Sequence, residues 1–154
     1  MCHDDDSHPP MPLSENSGAQ GKDITLTSSD VTEIAAYLAT PGGRPNGQVV
    51  ILPDARGLHE FYRELALRFA DIGMRALAID YFGRTSPIGQ RDESTDFREL
   101  IGQMSQDTFR QDLATALDYI RQGEGQDLPT FTVGFCLGGS LAFWSGSQGF
   151  DLAG

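Results

Sequence analysis

At 154 residues with 39% hydrophobic content, the chain is sized for one domain built around one core. Its 22 acidic residues against 11 basic ones give a formal net charge of −11, which excludes a surface that tracks nucleic acid or binds an anionic membrane. No apolar run approaches the roughly 18 residues of a membrane span. The two cysteines, Cys2 and Cys136, lie near opposite ends and have no framework spacing, so no structural disulfide is expected. The N-terminus reads Cys2, His3, Asp4, Asp5, Asp6 where a secretory signal would be basic and then apolar, and the expected location is cytoplasmic.

Residues 1–21 contain Ser7, Pro9, Pro10, Pro12, Ser14, Ser17, Gly18 and Gly21 and few large apolar groups, which predicts a disordered tail ahead of a domain over 22–154. The run His3, Asp4, Asp5, Asp6, Ser7, His8 offers a metal no more than adventitious binding, so no metal site and no cofactor are expected. Ile24–Thr27 and Ile34–Leu38, around the turn Ser28, Ser29, Asp30, predict an antiparallel hairpin. Val49–Leu52 is a continuous apolar run, as for a strand buried on both faces. Phe61, Leu65, Phe69 and Ile72 predict the stripe of an amphipathic helix closed by Gly73, and Arg75–Ile79 predicts a strand. A polar stretch follows. Phe109, Leu113, Leu117 and Ile120 then repeat the helical stripe, with Asp107 as expected N-cap and Gly123 as stop. The order predicts an α/β fold with a mostly parallel sheet and an N-terminal antiparallel hairpin.

Between the β-rich run Thr130–Val133 and the helix-like Ser140–Trp144 stand Gly134, Phe135, Cys136, Leu137, Gly138 and Gly139. A nucleophile at a sharp strand-to-helix turn is crowded by both elements, and glycines two residues before and two after relieve that crowding. The turn also aims a helix N-terminus at the thiol and offers the Leu137 N–H to a developing oxyanion. A buried packing cysteine satisfies the same pattern, since free cysteine is among the most buried residue types. A dinucleotide-binding turn fits less well, because Phe135 and Cys136 occupy positions where G-x-G-x-x-G wants its second glycine.

In such sheets ligands gather beyond the carboxyl ends of the strands. Three ends carry polar chemistry: Asp54, Ala55, Arg56, Gly57, Leu58, His59; then Asp80, Tyr81, Phe82, Gly83, Arg84; then Cys136. With the elbow, the runs Pro53–Leu58 and Ala78–Arg84 resemble the dienelactone hydrolase family of the α/β-hydrolase superfamily. The likeness runs from about Ile24 to Gly154 and looks like an N-terminal portion of the family domain. It implies cleavage of a lactone or carboxylic ester by Cys136, without a cofactor. It also implies an acid at Asp54 that holds the resting thiol, and oxyanion-hole N–H groups at Ala55 and Leu137. The best-known members carry glutamate where this chain has Asp54.

Arg56 and Arg84 are candidates for a substrate carboxylate, against the ordinary alternative of pairing with a neighbour such as Asp54 or Asp80. Asp80 reads as structural. His59 is a candidate base, but α/β-hydrolases supply nucleophile, acid and histidine in that chain order, and a helix start disfavours an imidazolium. No histidine follows Cys136. Asp151 comes too early for the triad acid, and Asp151–Gly154 predicts the start of a further strand. The triad acid and histidine are therefore expected beyond residue 154. Two functions stay open: a cysteine hydrolase of small esters or lactones, or a truncated, non-catalytic domain with a reactive thiol.

Overall fold

The structure, a computed structural model, describes residues 4, 6–11, 17–86 and 95–154. Five strands form one sheet: β1 (Gln20–Thr27), β2 (Glu33–Thr40), β3 (Gly47–Leu52), β4 (Met74–Ile79) and β5 (Thr130–Gly134), in the spatial order β1-β2-β4-β3-β5. Helices α1 (Glu60–Asp71), α2 (Phe97–Gly102), α3 (Gln106–Ile120) and α4 (Leu137–Ser145) connect and cover it. β4, β3 and β5 run parallel. The hairpin β1-β2 is antiparallel, and β2 also meets β4 antiparallel, so the sheet is mixed, with its parallel part confined to those three strands.

Each sheet face has its own core. On one, Val50, Leu52, Leu77 and Ile79 pack with Phe109, Leu113, Leu117 and Ile120 of α3, the four residues of the expected stripe, and with Leu137, Leu141 and Trp144 of α4. On the other, Val49, Ile51, Ala76 and Ala78 pack with Tyr62, Ala66 and Ala70 of α1. All six residues of β3 are buried, as its uninterrupted apolar run requires.

The expected α1 stripe is displaced by one residue. Phe61, Leu65 and Phe69 are only partly buried and Ile72 is 48% exposed, while Tyr62, Ala66 and Ala70 face the sheet. Small residues at the contact let the helix lie close to the strands, and the larger side chains cover the flanks. In α3 the N-cap is Ser105, whose hydroxyl accepts from the Thr108 N–H; Asp107 sits inside the first turn. The helix ends at Arg121, and Gly123, at φ +58°, opens a separate 3₁₀ turn. The polar stretch contains α2, capped by Asp96 and too short to show a period; residues 87–94 of that stretch lie outside the described residues.

Gln20 and Gly21 pair within β1, so the expected boundary at residue 21 falls inside a strand. Part of the preceding segment rests on α1. His8 Nδ1 lies 2.9 Å from a Glu64 carboxylate oxygen, and Arg68 Nε donates to the Pro10 carbonyl at 2.8 Å. Cys2, His3 and Asp5 lie outside the described residues. At the other end, Ala153 N–H donates to Thr130 O and Thr132 N–H to Gly154 O, so residues 153–154 hydrogen-bond along the free side of β5. Among the described residues, no helix is long and apolar enough to cross a membrane, and no group of three or more His, Cys, Asp or Glu is placed to hold a metal.

Candidate active site

β3 and β5 are neighbours whose exits part company: β3 leads to α1 on one face and β5 to α4 on the other. Adjacent strands that diverge in this way open a crevice at their carboxyl ends. The register pairs Leu52 with Gly134, and Phe135 N–H donates to Leu52 O at 3.2 Å, so Pro53 and Phe135 begin two turns side by side.

On the β5 side Cys136 stands at φ +53°, ψ −115°, a conformation that costs a non-glycine residue about 1–3 kcal/mol and persists only where its surroundings impose it. The surroundings do. A Cβ on Gly134 would collide with the carbonyl of Gly138, and one on Gly138 with the carbonyls of Leu52 and Pro53. A Cβ on Gly139 would lie 3.2 Å from Gly134 O, tight but yielding. Cys136 O accepts from the N–H groups of Gly139 and Ser140, which makes Cys136 the residue that opens α4. Cys136 is exposed among the described residues.

The β3 side is a tight turn held by side chains. Gly57, at φ +73°, donates its N–H to Asp54 O at 3.0 Å. The Asp54 carboxylate accepts from the Arg56 N–H at 3.0 Å, from Arg56 Nε at 3.3 Å and from Arg56 Nη2 at 2.8 Å. His59, the N-cap of α1, brings Nε2 to 3.7 Å from the same carboxylate. Asp54 is 1% exposed and Arg56 0%. Burial alone would push the Asp54 carboxyl up, but His59, the Arg56 side chain and the Arg56 N–H together outweigh it and hold the group well below the usual carboxylate range. Arg56 is fully buried and pairs with Asp54, the neighbouring carboxylate of the ordinary alternative.

Two tyrosines that the sequence reading passed over complete this turn. Tyr81 Oη donates to Pro53 O at 2.6 Å and Asp54 O at 2.8 Å, and Tyr62 Oη accepts from the Asp54 N–H at 2.9 Å. A buried tyrosine needs a partner for its hydroxyl. No local pattern marks Tyr81 for this contact, since Pro53 and Asp54 lie 28 and 27 residues away in sequence. Asp80 itself accepts from the Phe82 N–H at 3.1 Å, in line with its structural reading.

Arg84 is engaged elsewhere. Its Nη2 lies 2.7 Å from Asp112 of α3, its Nε donates to both Asp112 oxygens at 3.1 Å, and its Nη1 donates to Asp30 and, at 3.0 Å, to Thr32. It joins the β1-β2 turn to α3. Burial raises the Asp112 carboxyl despite Arg84, while Arg84 lowers the exposed Asp30 carboxyl to about 2. Arg56 pairs with the expected Asp54, whereas Arg84 pairs not with Asp54 or Asp80 but with carboxylates more distant in sequence.

Comparison with known proteins places this arrangement. The dienelactone hydrolase family matches residues 34–153, and the chain belongs to that family. It has the α/β-hydrolase fold. Carboxymethylenebutenolidase of Pseudomonas putida is 28% identical over 133 residues, covering 82% of this chain and 56% of that protein. That of Rhodococcus opacus is 29% identical over 147 residues, covering 92% and 52%. A dienelactone hydrolase-like promiscuous phosphotriesterase from metagenomic libraries shares the fold at a TM-score of 0.74 and 24% identity, over 87% of this chain and 56% of its own. The chain spans about half the length of the curated relatives it matches.

Proposed function

We propose that the chain carries the nucleophile half of a cysteine hydrolase that cleaves a carboxylic ester or lactone, a small-molecule substrate of the kind carboxymethylenebutenolidases are named for. The observation that supports it most is Cys136: exposed, held at positive φ, at the start of α4 and beside the β3 turn. In this reading the Cys136 thiolate adds to the ester carbonyl, and the oxyanion is received by the N–H groups of Ala55 and Leu137. The C–O bond then breaks, the alkoxide leaves, and water hydrolyses the thioester with a base to accept its proton. That base and its acid come from residues beyond 154. Asp54 is the acid that faces the resting thiol, and Gly134, Gly138 and Gly139 give the elbow its shape. Arg56 serves the architecture of the site through Asp54, whereas Arg84 ties the β1-β2 turn to α3 through Asp30 and Asp112.

The test is p-nitrophenyl acetate hydrolysis by the natural full-length protein and by the 154-residue chain. Turnover by the full-length protein that Cys136→Ala abolishes, with at most one equivalent of p-nitrophenolate from the 154-residue chain, is expected, because base catalysis of the second step is worth roughly 10²–10⁴-fold. Undiminished turnover in Cys136→Ala would overturn the assignment. Alkylation of Cys136 with no acylation at all would favour a non-catalytic domain with a reactive thiol.

A further inference from the structure

The N–H assigned to the oxyanion at Ala55 belongs to the same rigid plane as the Asp54 carbonyl, and in a trans peptide the two point in opposite directions. Whatever holds the carbonyl therefore aims the N–H. Asp54 O accepts from two donors, Tyr81 Oη at 2.8 Å and Gly57 N at 3.0 Å. The preceding plane is held at both ends, at Pro53 O, 2.6 Å from the Tyr81 hydroxyl that shares its one proton between the two carbonyls, and at Asp54 N by Tyr62 Oη at 2.9 Å. A flip of the Asp54–Ala55 peptide breaks the Tyr81 and Gly57 bonds to Asp54 O together.

We propose that Tyr81 and Tyr62 are positioning residues that preset the Ala55 N–H toward the oxyanion by clamping the two peptide planes on either side of Asp54. The inference rests on the hydrolase reading above. The turn also has its own Asp54–Gly57 bond and the Asp54–Arg56 contacts. The clamp instead reaches in from two other elements, the end of β4 and the first turn of α1. Tyr62 also places its ring 5.6 Å from that of Phe135, the residue before the nucleophile, so one side chain touches both turns. Tyr81 is 3% exposed, and burial first, then nearby acidic groups including Asp54 and Asp80, push its hydroxyl well above the ordinary value. It stays a protonated donor across any working pH.

Two reactions of one thiol separate positioning from general damage. Acylation by p-nitrophenyl acetate forms the S–C bond at a carbonyl, passes through an oxyanion and expels p-nitrophenolate with the bonding pair. Alkylation by iodoacetamide forms the S–C bond at a tetrahedral carbon, expels iodide and makes no oxyanion. In the natural full-length protein, Tyr81→Phe and Tyr62→Phe should each slow the p-nitrophenolate burst roughly 10- to 100-fold, less than outright loss of an oxyanion donor. Alkylation of Cys136, followed across pH by peptide mass spectrometry, should change less than about twofold, since Tyr81 is uncharged in both states. If Tyr81→Phe does not fold, Tyr62→Phe carries the same comparison from the other end of the plane. Parallel losses in both reactions, or an unchanged burst in folded variants, would overturn the positioning role while leaving the hydrolase reading intact. A wild-type protein that alkylates yet gives no burst removes the hydrolase reading itself.

Discussion

Two turns meet at the carboxyl edge of the sheet, and they are held by opposite means. The β5 turn is shaped by what is absent: without Cβ atoms at Gly134 and Gly138, backbone packs directly on backbone and Cys136 is forced to φ +53°. The β3 turn is shaped by what is present, with Arg56, His59, Tyr62 and Tyr81 converging on Pro53 and Asp54. A glycine-built turn has no supporting side chain to titrate, and its strain is stored at Cys136. A side-chain-built turn holds a buried charge and responds to the loss of any one partner. The candidate site thus combines a cysteine turn fixed by backbone contact with a turn whose shape depends on distant residues.

The largest expected effect breaks the first of these devices. Gly138→Ala sets a methyl group against the carbonyls of Leu52 and Pro53, where backbone and not a flexible side chain must give way. We expect a loss of more than about 3 kcal/mol in urea denaturation, with failure to fold as the extreme. Gly139→Ala, whose Cβ meets Gly134 O at 3.2 Å, should cost about 1 kcal/mol or less, because the helix gains alanine's propensity. Equal losses at the two positions would mean that the closeness of the backbone contact does not set the cost.

Next in size is the buried charge of the other turn. Asp54 is held below its ordinary 3.8, so its contribution to stability is full above about pH 4 and lost as pH falls through the lower folded value. Arg56→Met leaves burial opposed by His59 with no guanidinium, and the folded Asp54 value rises. Stability of the variant then falls as pH rises past the unfolded value. The expected cost is about 3–5 kcal/mol near pH 7, narrowing toward pH 4. The double variant Asp54→Asn, Arg56→Met should recover part of it, since no charge is left stranded. A pH-independent cost, read from urea midpoints at the two pH values, would assign the effect to packing.

This contrast also sorts what was legible in the sequence. The elbow was readable because its causes are adjacent: strand, glycines, cysteine and helix lie within a few residues. β3 and the α3 stripe were readable because burial on two faces, or on one, writes a local apolar pattern. The α1 face was misplaced because Phe61, Leu65 and Phe69 are larger than Ala66 and Ala70, and hydrophobic size does not report how closely a helix must lie on a sheet. The extension of antiparallel pairing to β2-β4 depends on where the hairpin docks, which no local pattern records. The tyrosine clamp and the Arg84 bridge were out of reach for the same reason. Arg84 and Asp112 are 28 residues apart, and Tyr81 and Pro53 are also 28 apart.

The smallest effect comes from a third turn, held by an arginine as the β3 turn is but at the surface. Asp30, between β1 and β2, has its carboxyl lowered to about 2, first by the hydrogen bond from Arg84. A lowered carboxyl stabilises above its unfolded value near 3.8 and loses that contribution as pH falls toward 2. Asp30→Asn should therefore carry its small Tm cost above about pH 4 and lose it toward pH 2, flattening the fall in Tm between those values, while Arg84 keeps its contacts with Asp112. About 1 M salt should erase the difference, since the Debye length there is about 3 Å and the Asp30 carboxylate faces solvent. The Arg56→Met cost should survive the same salt, because neither Asp54 nor Arg56 is reached by it. If both effects vanish in salt, the buried pair is wetter than its exposure indicates, and the difference between a turn held in the core and one held at the surface disappears.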